Sequence, residues 1–116
     1  MKKFFKRLAG YLVTAYANRL YRKAMKIADE RHRKEKTMIY VISSYFDESR
    51  LVTYNRKQFR AAKEYLKMRR ERVTDMKAGS WYHTADAIGR DGLSAKQMEA
   101  RRLAFVRALL RKAGLA

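Results

Sequence analysis

Only two histidines occur in this 116-residue chain, and both stand where chemistry would have to be assembled from distant residues. His32 lies among Arg31, Arg33 and Lys34, where positive surroundings disfavour an imidazolium and offer a metal ion nothing. His83 and Asp86 are three apart and on a helical turn could pair as base and orienting acid, yet no Ser or Thr nucleophile belongs to them by local spacing. Asp47 and Glu48 sit together, and Asp86 and Asp91 flank Gly89. Metal-assisted hydrolysis needs carboxylates that converge, which adjacency in a turn does not provide. A tyrosine nucleophile for strand transfer is conceivable among eight tyrosines, but the Arg/His pocket such chemistry needs has no signature here. No GxxxxGK[ST], GxGxxG or HExxH motif occurs. Cysteine is absent, which excludes disulfides, thiolate chemistry and cysteine-ligated zinc or iron-sulfur sites. The expectation is therefore a non-enzymatic protein with no catalytic site, no cofactor and no metal.

Charge carries the stronger signal. The chain has 29 Lys/Arg against 11 Asp/Glu, a formal net charge of +18. Small soluble domains usually carry about 2 to 8 charges in excess, so self-repulsion is severe unless a polyanion offsets it. The excess is concentrated in residues 1–36, with twelve Lys/Arg against three Asp/Glu, in 56–78, with nine against three, and in 94–116, with six against one. Arg56, Lys57, Arg60, Lys63, Lys67 and Arg70 in the middle segment, and Arg101, Arg102, Arg107, Arg111 and Lys112 in the last, are the expected contacts to nucleic acid or to an acidic partner. Such side chains neutralise phosphates without reading bases.

The elements that must position these cations follow from periodicity. Phe5, Leu8, Ala9, Leu12, Tyr16, Leu20 and Ile27 recur at helical spacing and predict a long amphipathic helix over 2–34 with that stripe as its apolar face. At about 1.5 Å per residue it spans roughly 45 Å, more than a small domain needs, so part of it is expected to project onto something else. Thr37–Ser43 and Leu51–Tyr54 are rich in β-branched and aromatic residues and predict a β-hairpin around a polar turn. Asn55 and Gln58 have capping-box spacing and open a second helix, whose seam is Phe59, Ala62, Leu66, Arg69, Val73 and Met76, running to about Gly79. Residues 80–93 are ambiguous, with a short strand or one helical turn at 84–88 both fitting. Ser94 and Gln97 repeat the capping box, Met98, Phe105, Val106, Leu109 and Leu110 supply an apolar face, and Gly114 is placed to stop the third helix.

The prediction is a single small basic domain over 1–116, α+β and helix-dominated, with a long N-terminal helix, a β-hairpin and two further helices. Phe5, Leu12, Tyr16, Trp81 and Tyr82 are the expected anchors for protein partners, with core packing the plainer role for the Trp81–Tyr82 pair. Residues 2–17 imitate a short signal peptide, but the apolar run of about ten residues is too short to span a membrane and no convincing cleavage is expected. The function expected is a structural component of a nucleic-acid-containing assembly, a bacteriophage virion by preference, packed among other proteins and neutralising polyanions. Its place would be a virion or an intracellular nucleoprotein particle. One alternative is a free DNA- or RNA-binding regulator reading bases with Asn55, Arg56 and Gln58, although no helix-turn-helix spacing supports it. The other is a membrane-surface adaptor using the basic N-terminal helix, with a membrane the least favoured partner.

Overall fold

A computed structural model describes residues 2–44, 50–65 and 73–115. It is an α+β fold in which helix α1 (Lys2–Glu35) is followed by strands β1 (Tyr40–Ser43) and β2 (Leu51–Tyr54), helices α2 (Arg56–Tyr65) and α3 (Val73–Gly79), strand β3 (Tyr82–His83) and helix α4 (Ala95–Lys112). The predicted hairpin is present, with Tyr40 opposite Tyr54 and Ser43 opposite Leu51. β3 joins the other edge of β1 antiparallel, giving the order β2-β1-β3. The ambiguous stretch thus supplies a strand two residues earlier than the one considered.

Side-chain alternation along β1 divides the core. Ile39 and Val41 pack with Ala24 and Ala28 of α1 on one face. Tyr40 points to the other and shares a cluster with Phe59 of α2 and Met76 of α3, with Met38 and Ile42 against it. The sheet is a middle layer between helices, which answers the marginal stability of a lone hairpin.

The expectation of two helices after the hairpin needs correction, since three are described. Phe59 and Met76 were expected along one helical seam, where about 1.5 Å of rise per residue would separate them by roughly 26 Å. Both are buried in the one cluster around Tyr40, a separation no single tyrosine bridges. Of that seam, Leu66 and Arg69 lie outside the described residues, as do the side chain of Val73 and the predicted turn at Asp47 and Glu48.

α1 has the predicted length and a different buried face. Ala17, Tyr21, Ala24 and Ala28 are buried, whereas Phe5, Leu8, Leu12, Tyr16 and Ile27 are exposed. The reason is approach distance: small side chains every three or four residues let a helix sit close to its neighbours. Tyr21, Phe105, Val106 and Leu109 form the α1–α4 part of the core with Ala17, and Trp81 and Met98 lean on it. The protein measures 52 × 32 × 19 Å, and a 34-residue helix accounts for the longest dimension.

Both capping boxes form. Asn55 Oδ1 accepts from the Gln58 amide at 2.7 Å while Gln58 Oε1 accepts from the Asn55 amide at 3.1 Å. Ser94 and Gln97 repeat the exchange at α4. At the far end of α4, Gly114 has φ +73° and Leu115 N–H donates to Leu110 O at 2.8 Å, while Gly114 N–H donates to Arg111 O at 3.0 Å. This is a Schellman closure, for which glycine is the favoured residue.

Candidate polyanion-binding surface

The residues with catalytic potential are engaged inside the fold. Thr84 Oγ1 accepts from Ile39 N–H at 2.9 Å and donates to Ala85 O at 2.9 Å. His32 Nδ1 donates to Thr37 O at 2.9 Å and lies 3.3 Å from the same hydroxyl. His83 is buried and donates through Nδ1 to Thr84 O at 3.0 Å. Burial lowers its pKa from the ordinary value of 6.5, and the positive charges of Arg101 and Lys77 push the same way. Asp86, its expected partner, instead accepts from the backbone of Ile88 and Arg90 and shapes a turn. Tyr21, whose hydroxyl donates to Trp81 O at 2.7 Å, is pushed up to about 12 by burial and stays protonated at neutral pH. Burial, reinforced by the carboxylate of Asp29, likewise raises Tyr82, which donates to Asp29 at 2.7 Å.

Trp81 and Tyr82 are half-buried. The indole Nε1–H donates to Ser43 Oγ at 2.8 Å and its ring meets Phe105 edge-on at 5.3 Å. Of the other expected anchors, Phe5, Leu12 and Tyr16 are exposed on α1.

The cations divide into internal and outward sets. Arg101 Nη1 donates to Lys77 O at 3.2 Å and to Ser80 O at 2.9 Å, so it serves the carbonyl end of α3. Arg102 is held across the α1–α4 seam by Asn18 and within α4 by Glu99. The carboxylate of Glu99 is depressed below its ordinary value by that hydrogen bond. Arg56, Lys57 and Arg60 on α2 are exposed, as are Arg107, Arg111 and Lys112 on α4. The spacing of Arg107 and Arg111 sets them one turn apart, about 6 Å. The side chains of Lys63, Lys67 and Arg70 lie outside the described residues.

The expected contacts, placed on the later helices, leave out an outward ladder on α1. Asn18, Arg19, Arg22, Lys23 and Lys26 line one shallow depression with Ala15, and no carboxylate lines it. All four cations are exposed on the side of α1 opposite the buried alanines. Steps of three and four residues over about 10 Å present adjacent charges at a spacing close to that of successive backbone phosphates. The signal was in the sequence: no Asp or Glu precedes Asp29.

A second basic hollow is lined by Lys3, Lys6 and Arg7 of α1 with Leu110 and Leu115. Its cations gather at the C-terminal end of α4, where the helix dipole is negative. Consequently the first turns of α1 direct basic residues toward the fold and apolar ones away from it.

Comparison with protein-family models, with curated proteins and with solved structures finds no match.

Proposed function

We propose that this protein is a non-enzymatic, sequence-indifferent binder of nucleic-acid phosphates, acting as a small structural component of a nucleoprotein particle such as a bacteriophage virion. The observation that carries the reading is the Arg19, Arg22, Lys23, Lys26 ladder, four exposed cations with no carboxylate in their depression. Arg107 and Arg111 on α4, and Arg56, Lys57 and Arg60 on α2, extend the positive surface. In this role the cations replace counterions on the polyanion.

The regulator reading is weaker because two of its three proposed base readers, Asn55 and Gln58, are occupied. Asn55 Nδ2 donates to Glu35 at 2.9 Å, and Gln58 Oε1 accepts from both Asn55 and Arg31.

Duplexes of unrelated sequence, titrated over a range of salt, test the proposal. Wild-type protein should bind them with equal affinity and a steep salt dependence. The variant Arg19→Gln/Arg22→Gln/Lys23→Gln/Lys26→Gln should flatten the log–log salt slope by about 3 to 4. An unchanged slope in that variant, or discrimination between sequences that survives high salt, overturns it.

A further inference from the structure

The outward side of α1 changes character along its length. From Phe4 to Tyr16 it is apolar, and exposed by 67% at Phe4, 78% at Tyr11 and 62% at Leu12, with Phe5, Leu8 and Tyr16 also open. At about 100° per residue these side chains occupy an arc of roughly 140°, with leucines in the middle and Tyr11 and Tyr16 at its two margins. Beyond Tyr16 the same arc is taken over by Arg19, Arg22, Lys23 and Lys26. The fold's own core lies on the opposite side of the helix, at Ala17, Tyr21, Ala24 and Ala28.

We propose that the face of α1 from Phe4 to Tyr16 docks on an anionic lipid bilayer, lying in the headgroup region with the Arg19–Lys26 ladder on lipid phosphates.

Charge selects this occupant. The first 28 residues hold eight Lys/Arg and no Asp or Glu. A second copy on the same face would bring two acid-free stretches together and be repelled, whereas an anionic surface complements the Arg19–Lys26 ladder. Shape agrees, because the face is a convex ridge on a single helix, which deformable lipid accommodates without a preformed groove. Chemistry agrees as well: Phe and Leu fit the acyl boundary, and marginal tyrosines keep their hydroxyls at headgroup level. No helix among the described residues is long and apolar enough to cross a membrane, so the arrangement is interfacial. Phe4 to Tyr16 covers about 18 Å of axis and the ladder about 10 Å more, so an oblique helix dips its apolar end while its basic segment stays at the phosphates.

The ladder is shared with the proposed nucleic-acid binding and the apolar face is not, so the experiment separates the two. Full-length protein is floated with vesicles of phosphatidylcholine alone and with about a third phosphatidylglycerol. Duplex-DNA affinity is measured on the same preparations. Wild-type protein should bind the anionic vesicles at least about tenfold more tightly than the neutral ones. Leu8→Gln/Leu12→Gln should weaken anionic-vesicle binding about tenfold or more while DNA affinity stays unchanged. Both positions are solvent-exposed, so circular dichroism should show an intact fold. A Leu12→Trp reporter should shift to the blue on vesicle addition and be quenched by brominated lipid. The proposal is overturned by any of three results: no binding to phosphatidylglycerol vesicles, binding indifferent to Leu8→Gln/Leu12→Gln, or a homodimer that this variant dissolves. Loss of DNA binding with vesicle binding retained would remove the nucleic-acid reading and leave this one.

Discussion

Arg31 of α1 and Gln58 of α2 meet at 2.7 Å, guanidinium Nη2 to amide Oε1, so the capping box that starts α2 is completed by a residue from the end of α1. The same guanidinium donates to Thr53 O at 2.9 Å and grips Glu35 through Nε at 2.6 Å. Glu35 in turn accepts from Asn55, and its carboxyl is held below the ordinary carboxylate range chiefly by the Arg31 hydrogen bond. One side chain therefore ties α1, β2 and the start of α2.

Arg31→Met should keep most of the stem packing and lose every bond that the guanidinium makes. A destabilisation of about 2 kcal/mol is expected, since hydrogen bonds to charged groups contribute roughly 1.5 to 3 kcal/mol and exposure reduces the ion-pair part. Urea unfolding measures it, and a change under about 0.5 kcal/mol would mean the network is ornamental.

His83 predicts an acid-sensitive fold. Its pKa is lowered in the native state, so between the native value and the unfolded 6.5 the unfolded chain binds more protons. Stability should be unaffected by this group above that window, fall as pH drops through about 6.5, and level off below the native value. His83→Asn should flatten the slope of Tm against pH in that window. A slope identical to wild type would assign the acid sensitivity to other groups.

Lys36 follows the last turn of α1 with φ 52°, a left-handed conformation that an L side chain resists. Lys36→Gly relieves strain of about 1 to 2 kcal/mol and loses about 0.5 to 1 kcal/mol through the freer unfolded chain. A net gain of about 0.5 to 1 kcal/mol should appear as a raised urea midpoint with unchanged m-value.

Arg101 and Arg107 should behave oppositely despite equal charge. Arg101→Met removes the donors at the end of α3 and should destabilise by about 1 to 2 kcal/mol with little effect on the salt slope of DNA binding. Arg107→Met should leave stability within about 0.5 kcal/mol and reduce that slope by about 1. Identical slopes for the two variants would show that the inward and outward sets do not divide the work of binding.

Legibility followed locality. Both capping boxes, the Gly114 stop and the hairpin strands are written within six residues of chain, and all were readable. Phe105, Val106 and Leu109 were readable too, because bulky side chains on one face of α4 admit few other roles. The buried face of α1 was not, since periodicity weights large residues and the contact is made by Ala17, Ala24 and Ala28. Trp81 and Tyr82 depended on partners at Ser43 and Asp29, which no local pattern announces. For the cations, composition gave the polyanion expectation, but Arg101 and Arg107 look alike in sequence. Only tertiary contacts separate the arginine that caps α3 from the one facing water.

The seam between α1 and α4 joins residues as far apart as Asn18 and Arg102. During synthesis, Ala17 and Tyr21 emerge long before Phe105, Val106 and Leu109 exist to cover them. The first helix must therefore wait, exposed and cationic, until α4 leaves the ribosome, and that part of the core closes only then. A nascent chain stalled before residue 95 would carry that uncovered surface in full, open to chaperones and to any anionic surface it meets.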